Sequence, residues 1–251
     1  MEIKSELKER ASKLLNEKEV LDWLKERSFE SFMNELMKDV EEHEPSEDKV
    51  TVTELSMECP RAIFFSRIFG EYFARTRNII SLVIGKKLHE ISILGKEMEV
   101  KVEWNGIVGR IDEYDPTNAI ILEKKFVQRT PREPYEHHVK QISYYKLLAI
   151  KNNMPVNYTI LWYFCFDDLE DPVKVFVVKT PPLDVIEREA IFKREAIVFA
   201  LKNKKIPARK LGWFCKFCNY SMLCFMDKKY LEKYVSIAAK SGFGKAIFME
   251  V

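Results

Sequence analysis

The eighteen residues GRIDEYDPTNAIILEKKF, 109 to 126, constrain the fold more than any other stretch of the chain. Asp115-Pro116-Thr117-Asn118 has Asp at the first and Pro at the second position of a type I turn, with Asn to help close it. The flanks therefore predict two antiparallel strands, about 106–114 and 119–126, with Ile120, Ile121 and Leu122 as buried strand. Folding about the centre of the turn sets Asp112 opposite Ile121. Glu123 is then its diagonal neighbour on the same face, roughly 7 Å away. Lys125 lies two residues further on and shares that face, whereas a one-residue slip would send the second strand's side chains to the other side.

Three charges on one side of an apolar strand pair are costly unless they are paired or bound to a metal, because buried carboxylates lose hydration. Two neighbouring carboxylates suit a hard divalent cation such as Mg²⁺. A lysine beside them can hold or help deprotonate a water for attack on phosphorus. The plainer reading is a solvated hairpin face with Glu and Lys paired across it.

Further along the chain the pattern alternates between helix and strand. Residues 3–44 carry Leu7, Leu14, Leu15, Leu21, Leu24, Phe32 and Leu36 among charges, without Gly or Pro until Pro45, and read as an amphipathic helical arm ending in the polar linker EEHEPSEDK. A helix starting at Thr53 or Ser56 is expected to run through Cys59 to Phe69, and another, capped by Asn78, through IISLVIGKKLHEIS. A strand is expected at 97–104, a helix at about 135–151, strands at 156–166 and 172–179, and a helix at about 183–203. This order predicts an α/β core. The GxxxxGK[ST] phosphate loop is absent, which argues against ATP hydrolysis by this chain.

The net charge of +2 hides an asymmetry. Residues 1–49 hold 9 Lys/Arg against 15 Asp/Glu, and residues 50–251 hold 32 against 24. An acidic arm on a basic body is compatible with a nucleic-acid partner without specifying one. With 47% hydrophobic and 12% aromatic residues, the chain is a folded protein rather than a disordered one. No apolar run reaches the roughly 20 residues that span a bilayer, and MEIKSELKER lacks a signal-peptide hydrophobic region, so a cytoplasmic location is expected.

In that compartment five cysteines point to metal or cluster ligation rather than to disulfides. WFCKFCNYSMLCF gives Cys215-x2-Cys218-x5-Cys224, with Cys59 far upstream in MECPRAIFF. Such a set suits a four-thiolate site that clasps the two ends of the domain, holding an iron-sulfur cluster or, as the chemical runner-up, zinc. Cys165, within YTILWYFCF, reads as a small buried hydrophobe.

His89, upstream of the acidic hairpin, is either a structural histidine or an imidazole added to two carboxylates, a mixed set that tolerates Mn²⁺ as well as Mg²⁺. Gln141 and Tyr145 are four apart and share one helix face, either as amphipathic surface or as groups touching a metal's waters or a substrate backbone. Arg61, Arg67, Arg75, Arg77, Lys86 and Lys87 beside Phe64, Phe65, Tyr72 and Phe73 read as ordinary surface or as a groove for single-stranded nucleic acid.

Taken together, His89, GRID with Asp112, Glu123-Lys124-Lys125 as ExK, Gln141-x3-Tyr145 as QxxxY, and Cys59 with Cys215, Cys218 and Cys224 resemble the RecB-like nucleases of the PD-(D/E)xK superfamily. Within it they are most similar to the CRISPR-associated exonucleases that carry an iron-sulfur cluster. The match covers about residues 53–226. The resemblance implies a restriction-endonuclease-like mixed sheet flanked by helices, with an N-terminal helical arm (1–49), a nuclease core (50–205) and a C-terminal cysteine-rich segment and tail (206–251).

It further implies metal-dependent cleavage of DNA from single-stranded ends. Asp112, Glu123 and His89 are the implied ligands of Mg²⁺ or Mn²⁺, Lys125 is the catalytic lysine, and Gln141 and Tyr145 complete the site. A mainly structural [4Fe-4S] cluster on the four cysteines and partnership with the CRISPR integrase are implied as well. Ile111 stands where the superfamily's name has Pro, and the acidic arm exceeds a compact member. Two other readings stand beside this one: a stand-alone repair or viral nuclease, and a non-catalytic DNA-binding adaptor. A zinc-stabilised protein unrelated to nucleases leaves the hairpin charges as coincidence.

Overall fold

A computed structural model describes residues 46–69, 89–167 and 170–240, all within a compact unit that begins at Glu44. The expected helical arm, most of the helix expected from Asn78, and Tyr72, Phe73, Arg75, Arg77, Lys86 and Lys87 lie outside these residues.

The first elements are the two-residue strand β1 (Val50–Thr51) and the helices α1 (Val52–Ser56) and α2 (Pro60–Phe69). The single helix expected from Thr53 or Ser56 to Phe69 is thus two helices. Thr51 caps the first in a capping box with Glu54, and the chain is non-helical from Met57 to Cys59, as the backbone ahead of Pro60 favours. Next come strands β2 (Glu97–Trp104), β3 (Ile107–Asp115) and β4 (Ile120–Val127), then helix α3 (Glu136–Lys151). Strands β5 (Tyr158–Cys165) and β6 (Val173–Val177) and helix α4 (Leu183–Lys202) complete the core. The clustered cysteines lie on a 3₁₀ turn (Trp213–Phe217), at its end and on helix α5 (Ser221–Phe225), and helix α6 (Lys228–Lys240) is the last described element.

The strands form one mixed sheet. β3 lies between β2 on one side and β4 on the other, and β5 and β6 extend the sheet beyond β4. β4 and β5 run parallel, and β1 adds a parallel bridge to the start of β3. Because β1 holds only Val50 and Thr51 against Ile107 and Val108, and β4 pairs with β3 only from Glu113 to Asp115, no strand among the described residues pairs the middle of that edge of β3. Helix α3 crosses β2 to β5, α1 and α4 pack against it, and α2 packs against α4 and α6. Leu55, Phe65, Ile68, Ile111, Ile121, Ile142, Leu148 and Leu161 are buried in the core between these layers. The architecture is the expected mixed sheet flanked by helices. Among the described residues no helix is long and apolar enough to cross a membrane.

The hairpin register differs from the expected one by two residues. Glu113 pairs with Leu122, Tyr114 with Ile121 and Asp115 with Ile120. The loop is therefore Pro116 to Ala119, closed by Asp115 Oδ1 accepting from the Thr117 and Asn118 N–H groups and by Ala119 at φ 54°. A two-residue shift preserves the faces, so Asp112 and Glu123 still share one.

Candidate active site

Continued by one step, the β3–β4 register sets Asp112 opposite Glu123, but there the backbone ladder stops and the Lys124 N–H donates to Asp112 Oδ2 at 2.6 Å. The backbone pairing thus opens at the acidic pair, and both carboxylates lie buried at this gap in the ladder. Glu123 is 1% exposed and Asp112 4%. Glu123 Oε1 accepts from Lys125 Nζ at 2.5 Å, while its Oε2 is buried and has no hydrogen-bond partner among the described residues. Burial first, and then the Asp112 carboxylate, push the Glu123 carboxyl up to about 7.

His89 comes to the same gap. Its Nδ1 lies 3.0 Å from Asp112 Oδ1 and 3.8 Å from Glu99 Oε1. Imidazole and carboxylate are thus in ion-pair contact. The adjacent Asp112 carboxylate draws the imidazole pKa above its ordinary value.

Burying a carboxylate oxygen without a hydrogen-bond partner is costly, and such an oxygen at one acidic gap with a second carboxylate and an imidazole nitrogen is a donor set a divalent cation takes. His89, Glu99 and Asp112 offer ligand atoms all within 4.8 Å of one another. The residues present therefore fit a bound Mg²⁺ or Mn²⁺.

Glu99 was missed in the sequence, where Glu97, Glu99, Lys101 and Glu103 alternate like the solvent face of a strand. Its flanking residues Met98 and Val100 pair with Glu113 and Ile111, so Glu99 faces Asp112 across β2 and β3. Its φ of 53° is left-handed, a conformation that costs a non-glycine residue about 1–2 kcal/mol. Arg110 Nη1 holds its Oε2 at 3.0 Å.

The other face of the same strands carries a second charged pair. Glu113 and Lys124, each one residue beyond a site carboxylate, are 0% and 2% exposed, with Lys124 Nζ 3.1 Å from Glu113 Oε1. Lys124 Nζ also donates to the His89 and Ile91 carbonyls at 3.0 and 2.7 Å. Glu113 in turn accepts from the Ile93 and Leu94 N–H groups, each at 2.7 Å. The pair thus ties residues 89–94 to the back of the sheet and fixes the backbone that delivers His89. Adjacent charges inside an apolar strand, Asp112-Glu113 and Glu123-Lys124, were the sequence signal for it.

Gln141 and Tyr145 are both buried on α3. Gln141 Nε2 donates to Thr53 Oγ1 at 3.4 Å, and burial, together with the charges of Glu123 and Asp112, holds the Tyr145 pKa well above the usual phenol value. Its ring lies against β3 at Gly109, where a Cβ would sit 2.7 Å from the Tyr145 Cε1. That close approach requires glycine at the head of GRID.

The four cysteines are gathered as well. Burial raises the Cys218 thiol pKa, and the neighbouring Cys59, Cys224 and Cys215 thiols raise it further. Cys59, Cys218 and Cys224 pack on the core, whereas Cys165 is fully buried within it. Arg61 bridges the ends, donating from Nε to the Pro207 carbonyl at 2.8 Å and from Nη1 to the Cys224 carbonyl at 3.5 Å. Four thiols, three of which act on the fourth, have the donor chemistry of a four-thiolate group. The groove expected around Arg61 and Arg67 is not formed by them. Phe64 and Phe65 are core residues, and Arg67 pairs with Glu54.

The family model for the PD-(D/E)XK nuclease superfamily matches residues 6–225. Among solved structures, the crystal structure of SSO0001 matches with a TM-score of 0.56 at 20% identity, over 78% of this chain and 96% of that one. An alkaline exonuclease (LHK-Exo) from Laribacter hongkongensis matches with a TM-score of 0.34 at 10% identity, over 62% of this chain and 89% of that one. The first shows a shared fold. No curated protein matches the sequence.

Proposed function

We propose that this chain, which belongs to the PD-(D/E)XK nuclease superfamily, is a deoxyribonuclease that hydrolyses phosphodiester bonds at single-stranded DNA ends with Mg²⁺ or Mn²⁺. The observation that carries the reading is the buried Glu123 Oε2, which has no hydrogen-bond partner among the described residues, at the gap where Asp112 and His89 meet at 3.0 Å. Asp112, Glu123 and His89 would hold the cation, with Glu99 in reach. When bound, a divalent cation there supplies charge stabilisation to phosphate oxygens and acidity to a water.

The chain's own groups divide the remaining work. Lys125, held by Glu123, orients the attacking water and places positive charge beside the scissile phosphate. Glu123 must give up its proton for the site to load, because only the carboxylate offers both oxygens. Tyr145 and Gln141 back the strand that carries Asp112 and keep water from that side of it.

The finer reading rests on the family resemblance. Cys59, Cys215, Cys218 and Cys224 hold a mainly structural [4Fe-4S] cluster, and the chain trims DNA for the CRISPR integrase. We assign residues 1–49 to an acidic arm, 50–205 to the nuclease core and 206–251 to the cluster segment and tail, in a cytoplasmic protein.

The test is incubation of anaerobically purified protein with end-labelled single-stranded DNA and Mn²⁺. Cleavage that disappears with EDTA and in Asp112→Ala supports the reading. Absence of cleavage by the intact, cluster-loaded chain would move the function to that of a DNA-binding adaptor.

A further inference from the structure

Between Glu195 and Asp227 the chain runs for 31 residues without an acid, while carrying Lys202, Lys204, Lys205, Arg209, Lys210 and Lys216. In the same stretch large apolar side chains face solvent: Trp213 and Phe217 are each 66% exposed, with ring centroids 6.3 Å apart. Leaving two aromatic rings in water is unfavourable by their burial value, and a patch of this kind marks an interaction site. Its charge is the second observation: Lys202 and Lys210 pair with Asp48 and Glu58, and Lys204, Lys205, Arg209 and Lys216 add four cations to the same stretch. An apolar protein interface excludes charge from its centre, whereas rings set among cations match a single nucleic-acid strand, whose bases stack while its phosphates track the positive side chains.

The rings also lead somewhere. Trp213 lies 6.5 Å from His137, which stacks on Tyr135 at 5.9 Å with the planes 20° apart. Tyr135 meets Tyr163 edge to face at 6.0 Å, and Tyr163 is the β5 partner of Lys125 in the parallel register. The cysteine segment and the candidate active site are thus joined by a continuous row of rings. The Tyr163 hydroxyl lies 3.0 Å from His138 Nδ1 and accepts from the Tyr135 N–H at 3.3 Å, which places the head of α3 beside the β5 partner of Lys125.

We propose that Trp213, Phe217, His137 and Tyr135 form a base-stacking track that carries one nucleic-acid strand from the cysteine segment to the Asp112, Glu123 and Lys125 site. The inference rests on the nuclease reading and deepens it, because stacking on ring faces requires bases free of a complementary strand. A duplex satisfies the cations but not the rings.

The experiment uses the full-length, cluster-loaded chain carrying Asp112→Ala, so that binding is measured without cleavage. Fluorescent oligothymidylate, an abasic strand of the same length and a blunt duplex are titrated by polarisation. Trp213→Ala should weaken oligothymidylate binding roughly 5- to 150-fold, the loss expected for one stacked base. It should leave the abasic strand and the duplex unchanged, and Trp213→Phe should restore most of the affinity. Tyr135→Ala should act in the same direction.

Unchanged oligothymidylate binding in Trp213→Ala overturns the proposal and leaves the rings to a protein partner. An equal loss for all three ligands overturns it as well, because the ring would then only support the fold or the charged surface. Cleavage by the chain with Asp112 intact, and its loss on adding EDTA, decides the nuclease reading separately.

Discussion

Lys124 and Glu113 form a buried ion pair at 3.1 Å on the face of the sheet opposite Asp112 and Glu123, and through the His89 carbonyl that pair governs where His89 stands. The middle residue of the ExK motif is therefore a structural anchor for a candidate metal ligand. Lys124→Met leaves Glu113 charged and buried without its cation, which should cost about 3–5 kcal/mol. Guanidinium denaturation reads this loss. Cleavage should also need a higher Mn²⁺ concentration, because residues 89–94 lose one of their ties; an unchanged metal requirement would separate the pair from His89.

The metal-free protein should lose stability as pH rises. With Glu123 held at about 7 in the folded state and near 4.3 when unfolded, the folded state binds the extra proton between those values. Stability contributed by this group is therefore full below about pH 4.3 and falls as pH climbs to about 7. Glu123→Gln should flatten that dependence and, in EDTA at pH 8, raise stability by on the order of 2 kcal/mol while abolishing cleavage. Thermal melts of both proteins at pH 5 and pH 8 check it, and saturating Mn²⁺ should reverse the order.

Glu99 sits in a left-handed conformation where a strand would ordinarily be extended, with its carboxylate within reach of His89. Glu99→Gln should raise the metal concentration for half-maximal cleavage several-fold without removing activity. Isothermal titration with Mn²⁺ supplies the direct reading. Equal affinity in the two proteins would restrict the ligand set to Asp112, Glu123 and His89.

Gly109→Ala introduces a Cβ 2.7 Å from the Tyr145 Cε1 and 2.9 Å from the Val52 Cγ2. The ring is buried and cannot step aside, so a loss of about 1–3 kcal/mol is expected. Since Asp112 lies three residues along the same strand, cleavage should fall more than the fraction unfolded accounts for.

Cys218→Ala removes the thiol that faces the other three cysteines. Visible absorption of the anaerobically purified protein should disappear, and the melting temperature should drop, because residues 59 and 215–224 would no longer be tied through a common group. Arg61→Ala, which removes only the bonds to Pro207 and Cys224, should keep the absorption with a smaller loss of stability.

Much of the hairpin was legible before the fold was known. Asp115-Pro116 announced the turn, and the strand limits moved by a single residue. The register was not legible, because the Asp115 side chain captures two N–H groups and Ala119 turns left-handed, making a four-residue loop that pattern alone does not distinguish from a tighter one. Phe64 and Phe65 looked like groove residues beside arginines. Two adjacent rings on a helix equally serve a core, and the packing of α2 decided for the core.

Alternation along a strand is a property of the backbone itself, so the sequence alone determined that Glu123 and Lys125 share one face of β4 with Lys124 on the other, and that Asp112 and Glu113 divide β3 in the same way, while the register put Asp112 on the face of Glu123. The sequence also determined the order of helices and strands around them. Which distant groups meet those faces is a matter of chain closure and packing, and no local pattern encodes it. Tertiary structure alone brought His89 and Glu99 to Asp112, set the Tyr145 ring against Gly109, gathered Cys59 with the three C-terminal cysteines, and lined up Trp213 with His137.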